Sequence, residues 1–328
     1  MDVDVPHLFL GVLGGLAVFF FGVHEMTGGM RSAAGDRFQS ILERFTKRRV
    51  SSVASGAVTT AVVGSSSIVT IMTVGLVSSG LLAFENSLGV VMGANIGTTV
   101  SSQVIALGLT EYSAVLLVVG AILRFLVRRG NAEAWGKATM GIGFVFLGLQ
   151  QIEITMAPVR DWPPFIDAIA QMENPFFGIL IGAAITAVIQ SSSATMGVVI
   201  ILAAQGAVTL PAGVAIMMGA ELGTCVDTLL STIGQTRGAV RTGVFQLFFN
   251  LFNVALLVGF TTQLAEVAQW MTPGYDASAV ARQIANAHVM FNCMGVLVGL
   301  PFVPAAARVM TRLIPDRPSP TRSVVAAE

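Results

Sequence analysis

Seven stretches of the chain are apolar for about 20 residues, the length that crosses a bilayer. They fall at roughly 8–30, 86–107, 112–129, 135–156, 212–234, 238–262 and 280–304. Two further apolar stretches, 52–82 and 175–205, have a different pattern. Each is interrupted at its centre by small polar residues, Gly64-Ser65-Ser66-Ser67 in one and Gln190-Ser191-Ser192-Ser193 in the other. A polar break at mid-depth leaves halves too short to cross, and the backbone freed there must be buried in protein or line a cavity. The pattern predicts two helical hairpins, each entering and leaving by one face.

The same pattern occurs twice. A single ungapped shift of 126 residues places Gly15 on Gly141, Gly22 on Gly148, Gly56 on Gly182 and Thr60 on Thr186. It also places Ser65-Ser66-Ser67 on Ser191-Ser192-Ser193, Met92-Gly93-Ala94 on Met218-Gly219-Ala220, and Gly97-Thr98 on Gly223-Thr224. Each copy holds three crossings and one hairpin, and three is odd, so the second copy is expected upside down relative to the first. The prediction is an all-α polytopic membrane protein of two inverted repeats, each with three crossings and one re-entrant helical hairpin. Repeat 1 covers 1–129 (hairpin 52–82), repeat 2 covers 130–262 (hairpin 175–205), and 263–328 adds a transmembrane helix and a cytoplasmic tail. The two hairpin tips then meet near the midplane, where inverted-repeat transporters place their sites.

Composition narrows the function classes. Only 11% of the 328 residues are charged and mean hydropathy is +0.79, whereas soluble domains carry about 25% charged residues. A soluble enzyme is excluded. Eighteen basic against eighteen acidic residues give none of the basic excess that nucleic-acid binding needs. Cys225 and Cys293 are too few for a disulfide framework. Asp2 and Asp4 stand where a signal peptide carries Lys or Arg, so the first apolar run is read as retained. The loops at 31–49 and 157–174 are too short for a soluble domain. The first, with Phe38, Ile41, Leu42 and Phe45 among its charges, is expected to lie on the membrane surface as an amphipathic helix. With the N-terminus outside, 16 of the 18 basic residues lie inside and only Arg160 and Arg282 outside. That is the positive-inside asymmetry of a cell-membrane protein with a cytoplasmic C-terminus.

The interruptions carry the candidate chemistry. Serine favours the N-cap, and a helix N-terminus offers free N–H groups and partial positive charge. Two such termini facing each other, lined by Ser65, Ser66, Ser67, Ser191, Ser192 and Ser193, form a site for a small oxyanion. With no Arg or Lys at that depth, the anion needs a compensating cation. Serine and glycine in membrane helices are often packing residues instead, but two triplets at equivalent repeat positions favour a site. The second motif, Gly93-Ala94-Asn95-Ile96-Gly97-Thr98-Thr99, has the copy Gly219-Ala220-Glu221-Leu222-Gly223-Thr224-Cys225. Its paired glycines suggest a locally unwound helix with exposed carbonyls. Asn95, Thr98 and Thr99 would supply neutral oxygens suited to Na⁺, and Glu221 a charged one. An intramembrane carboxylate is a functional candidate by default. Asp227 is placed nearer the cytoplasmic end, where solvent would serve it equally well. His24 and Glu25 are expected to end the first helix at the interface, and for His288, Asn286 and Asn292 in the last helix a packed, hydrogen-bonded role weighs at least as much as ligand binding.

At these residues the sequence resembles the sodium/phosphate cotransporter family, the type II Na⁺/Pi symporters and their bacterial relatives. The resemblance covers 14–30, 56–99, 141–160, 174–224 and 285–301, the last with the Phe-Asn pair Phe291-Asn292. It implies that Ser65, Ser66 and Ser67, matching the first QSSS motif, and Gln190, Ser191, Ser192 and Ser193, matching the second, bind phosphate and Na⁺. Asn95, Thr98, Thr99 and Thr224 are implied to assist. Gly64 replaces the first glutamine and Glu221 the second asparagine, changes that alter a cation site. The reading is Na⁺-coupled phosphate transport by alternating access, with Na⁺ as coupling ion and no other cofactor. Its competitors are a passive or exporting carrier or channel for a related oxyanion, and an intramembrane serine hydrolase with a triplet serine as nucleophile and His288 as base.

Overall fold

The computed structural model describes residues 5–35, 46, 48–127, 130–156, 158, 162, 167, 169, 171–172 and 174–316, which are almost wholly helical. The amphipathic helix expected over 31–49 lies mainly outside these residues. Among the described residues, seven apolar helical stretches are long enough to cross a membrane: Leu8–Ala33, Phe84–Ala106, Leu109–Leu126, Ala132–Met156, Leu210–Ser231, Arg237–Met271 and Ala277–Leu313. Each overlaps one of the seven read from the sequence, and the last two run on past the expected ends at 262 and 304.

The helices are α1 (Val5–Ala34), α2 (Arg49–Val63), α3 (Ser66–Ser78), α4 (Phe84–Ala106), α5 (Ser113–Ala121) and α6 (Ala132–Met156). They continue as α7 (Pro175–Ile189), α8 (Ser192–Ala204), α9 (Leu210–Gly223), α10 (Cys225–Ser231), α11 (Arg237–Leu257), α12 (Thr261–Met271), α13 (Ala277–Gly299) and α14 (Val303–Leu313). The pair α2–α3 and the pair α7–α8 begin and end at positions 126 residues apart. At 15 and 13 residues, their helices extend about 22 and 20 Å, short of the roughly 30 Å hydrocarbon core.

Packing at equivalent glycines is also alike. A Cβ on Gly56 would lie 2.2 Å from the Val90 carbonyl oxygen, and one on Gly182 would lie 2.1 Å from that of Ile216. Gly93 and Gly219 approach the carbonyls of Val53 and Ile179 at 1.9 and 2.0 Å by the same measure. Each hairpin is thus pressed backbone to backbone against the helix that follows it. α1 and α6 form a third seam, in which Gly15 meets Gly148 and Gly22 meets Gly141. The order of these contacts makes the two helices antiparallel. Because 141 and 148 are the shifted counterparts of 15 and 22, the contact is self-complementary, as across a two-fold axis.

Two expectations are corrected here. α1 runs on to Ala34, so Glu25 does not end it. Glu25 is buried, and its carboxylate pairs with Arg124 at 2.6 Å and Lys137 at 3.5 Å. Those partners come from later helices, and they replace the solvent that an interfacial carboxylate would need. α4 passes unbroken through Asn95, and at the junction of α9 and α10 Thr224 keeps helical dihedrals (φ −62°, ψ −20°) and its N–H bond to the Ala220 carbonyl at 3.2 Å. The glycines of this motif serve close helix contact, and the unwinding expected of both copies occurs in neither.

Candidate functional site

At each hairpin tip the chain turns through a left-handed residue into a serine cap. Gly64 has φ 76° and Gln190 φ 58°. Ser65 and Ser191 follow with nearly identical extended conformations, φ −151° and −150°. Their hydroxyls accept hydrogen bonds from the N–H groups of Ile68 (3.4 Å) and Ala194 (3.2 Å). Ser66, Ser67, Ser192 and Ser193 then occupy the first turns of α3 and α8 and are buried. In those turns the backbone N–H groups have no carbonyl within the helix to receive them.

The tips reach toward each other and across the repeats. Gly64 and Ser193 line one cavity of about 70 Å³, with Ser101 of α4, Met26 and Met30 of α1, and Phe146 of α6 among its walls. Apart from the Ser101 and Ser193 hydroxyls, those walls are mostly apolar. On the other side, Ser67 faces the Asp227 carboxylate, which accepts from the Thr228 N–H and hydroxyl. Asp227 is the 126-shifted counterpart of Ser101. Each tip therefore meets the same position of the opposite copy, a carboxylate in one case and a hydroxyl in the other. Asp227 is thereby joined to the serine tips by a contact between residues 160 apart, for which sequence spacing offers no signal.

A second, deeper cluster gathers around the next motif. Glu221 Oε1 is 2.9 Å from His288 Nε2, and His288 Nδ1 is 2.8 Å from the Ser102 hydroxyl. Asn95 donates to the Asn250 side-chain carbonyl, and Asn250 donates to the Glu221 backbone carbonyl at 2.7 Å. α13 therefore ties α4 to α9 through His288, and α11 ties them through Asn250. Gln246 and Asn253, a turn to either side of Asn250, are fully buried with both amide atoms lacking a protein partner. Ser102–His288–Glu221 has the connectivity of a Ser-His-acid triad. Ser102 and His288 are fully buried, and Ser102 lies near the C-terminal end of α4, where its neighbours' N–H groups are committed to the helix and form no oxyanion hole. No triplet serine bonds His288.

The predicted cation ligands are distributed among these places. Asn95 and Glu221 join through Asn250. Thr98 and Thr224, at equivalent positions, donate to the carbonyls of Ala94 (3.0 Å) and Ala220 (2.8 Å), and Thr99 donates to Ile96 at 2.7 Å. Gln190 is exposed at the second tip, away from the Asn95–Glu221 cluster. Asn286 is held by Gln103 and Thr272, and Asn292 donates to the His288 carbonyl.

Comparison with known proteins supplies the family. The profile described as Na⁺/Pi-cotransporter matches residues 18–153 and 166–299. "Uncharacterized protein YqeW" of Bacillus subtilis is 26% identical over 92% of this chain and 97% of its own length. "Putative inorganic phosphate export protein YjbB" of Escherichia coli is 26% identical over 94% of this chain, which spans 56% of that relative's length. "Sodium-dependent phosphate transport protein 2B" of Homo sapiens is 30% identical over 26% of this chain and 14% of its own length. No solved structure matches. The family is one of transporters rather than enzymes, and with the seven apolar helices it indicates an integral membrane protein. This chain belongs to the Na⁺/Pi-cotransporter family.

Proposed function

We propose that the chain is a Na⁺-coupled secondary carrier of inorganic phosphate working by alternating access. Phosphate is held between the hairpin tips by the hydroxyls and first-turn N–H groups of Ser65, Ser66, Ser67, Ser191, Ser192 and Ser193. The reading rests most on the two serine caps, matched in conformation, whose tips border one cavity. Residues 1–129 and 130–262 form inverted repeats with re-entrant hairpins, supported by the antiparallel, self-complementary α1–α6 seam and by hairpin helices too short to cross. Residues 263–328 add the extra helix that brings His288 between the copies. The N-terminus lies outside and the C-terminus in the cytoplasm, as the basic residues suggest.

Na⁺ is assigned to the oxygens of Gln190, Asn95, Thr98, Thr99, Glu221 and Thr224. Asp227 supplies a negative charge at the first tip that a cation would neutralise. The unpartnered amide oxygens of Gln246 and Asn253 favour a cation or water nearby, since such groups are costly when buried without a partner.

Labelled phosphate should enter proteoliposomes faster under an inward Na⁺ gradient. Loss of one charged hydrogen bond should slow uptake about tenfold in Ser65→Ala or Ser191→Ala protein that remains monodisperse. Uptake indifferent to Na⁺ and to both substitutions overturns the proposal. A second reading, outward transport, draws on the export name of the Escherichia coli relative. Efflux from preloaded vesicles that outpaces influx at equal driving force would favour it, and absence of trans-stimulation would indicate a channel.

A further inference from the structure

α14 is the most sharply two-sided of the described helices. At 100° per residue, Val303, Ala307 and Met310 point inward, and all three are buried. Ala306 and Val309 lie on one flank, while Pro304, Arg308 and Thr311 lie on the other. Arg312 sits at the centre of the outer face. Each flank borders a recess, and the two recesses are chemically opposite.

The first recess, about 260 Å³, is walled by Phe245, Phe248, Phe249 and Phe252 of α11 together with Phe302 and Val309. The second, about 460 Å³, is bordered by Arg308 and Arg312, by Arg49 at the start of α2 and by Glu85 in the first turn of α4. Among the described residues no carboxylate lies within 4.0 Å of Arg49, Arg308 or Arg312. The neighbouring Arg241, by contrast, is satisfied. It pairs with Asp316 at 2.7 Å and donates to the Ile314 carbonyl at 2.8 Å. Those bonds tether the chain just beyond α14 to α11, so α14 is held in place; Arg308 donates its Nε–H to the Pro304 carbonyl at 3.3 Å, which leaves its terminal nitrogens free.

We propose that α14 seats one anionic phospholipid, with its phosphodiester among Arg49, Arg308 and Arg312 and an acyl chain in the phenylalanine groove. Guanidinium groups bind phosphate oxygens in a fork. Three guanidiniums against the single carboxylate of Glu85 leave a surplus suited to a singly charged phosphodiester. A free anion would have no use for the adjoining groove. The exposed side chains of Val309 and Leu313 extend the apolar surface along the groove flank, and Arg312, at the centre of the outer face, stands between that flank and the basic recess. This site is separate from the hairpin tips, and its failure would leave the transport proposal untouched.

The test is native mass spectrometry of the detergent-purified chain titrated separately with dioleoylphosphatidylglycerol, dioleoylphosphatidylcholine and inorganic phosphate. Phosphatidylglycerol is expected to bind in preference to phosphatidylcholine. Arg308→Gln and Arg312→Gln should each weaken it about fivefold, the equivalent of ~1 kcal/mol per basic residue near a membrane surface. The double change to Lys should retain most of the preference. Ala306→Trp, which fills the groove, and Phe248→Ser, which opens it at an exposed position, should weaken phosphatidylglycerol binding while all three arginines remain. Either groove variant suffices if the other fails to fold. Phosphatidylglycerol binding indifferent to all of these changes overturns the proposal. So does inorganic phosphate binding that depends on the arginines and is unaffected in the groove variants, because the recess then takes a free anion.

Discussion

Gly64 and Gln190 occupy the same left-handed turn at the tips of hairpins whose helices match to the residue, yet the two tips are held differently. In the second hairpin the Thr186 hydroxyl donates to Thr195 at 2.8 Å, and Thr195 donates to the Ser191 carbonyl at 3.2 Å. That chain of bonds ties both legs to the capping serine. In the first hairpin the counterpart of Thr195 is Val69, and the buried Thr60 hydroxyl has no protein partner. Its tip instead faces outward, with Ser67 directed at Asp227. One hairpin is closed upon itself and the other is directed at a charge of the opposite copy. Backbone symmetry has been kept while the side-chain bonds that decide rigidity and charge have diverged.

The comparison can be broken most severely at the walls the hairpins share. Gly56→Val and Gly182→Val should each destabilise by about 3 kcal/mol or more, the upper range for overpacking, and by similar amounts, because the obstructing carbonyls are similarly close. Thermal melting in detergent would show it, and a large inequality between the two would mean that the walls are not equivalent. Next in size is the charged contact. Asp227→Asn weakens a charge-assisted bond worth roughly 1.5–3 kcal/mol and should reduce phosphate transport about tenfold or more. Ser101→Ala at the counterpart removes no charge and should reduce it less.

Smaller effects sharpen the comparison at the turns. Gly64→Ala places a Cβ in the left-handed region at a cost of about 1 kcal/mol. Space is not the obstacle, since the nearest atom would be the Met30 sulfur at 3.7 Å. Gln190→Gly should change stability little, because relief of the same strain is offset by the greater freedom of unfolded glycine. The last pair differs in sign. Thr186→Val should destabilise by about 1 kcal/mol through its lost hydrogen bond. Thr60→Val, removing a hydroxyl that has no partner to lose, should leave the melting temperature unchanged or raise it.

Local features were legible because local physics produces them. The span ends follow from apolar run length, and the hairpin breaks from small polar residues in otherwise continuous apolar segments. The caps at Ser65 and Ser191 follow from the affinity of serine hydroxyls for first-turn N–H groups. Long-range pairing left no such trace. Glu221 could be singled out because a membrane carboxylate is costly, but its His288 partner is 67 residues away. Asn250 sits in an ordinary apolar helix pattern, and nothing in its surroundings announces that it bridges Asn95 and Glu221. Paired glycines were ambiguous for a related reason. Unwinding and close packing both require a missing side chain, and only the positions of the Val53 and Ile179 carbonyls decide between them.

The Glu25 cluster also bears on the order in which the protein is made. Arg124 follows Glu25 by 99 residues, so at about 5–20 residues per second of synthesis it emerges roughly 5–20 s later. During that interval α1 is a long apolar helix carrying a carboxylate whose neutralising partners do not yet exist. The first helix of the chain therefore cannot reach its final electrostatic state as an independent unit. Its settling waits on translation, and the arrival of Arg124 and then Lys137 marks when the amino-terminal part of the molecule can lock.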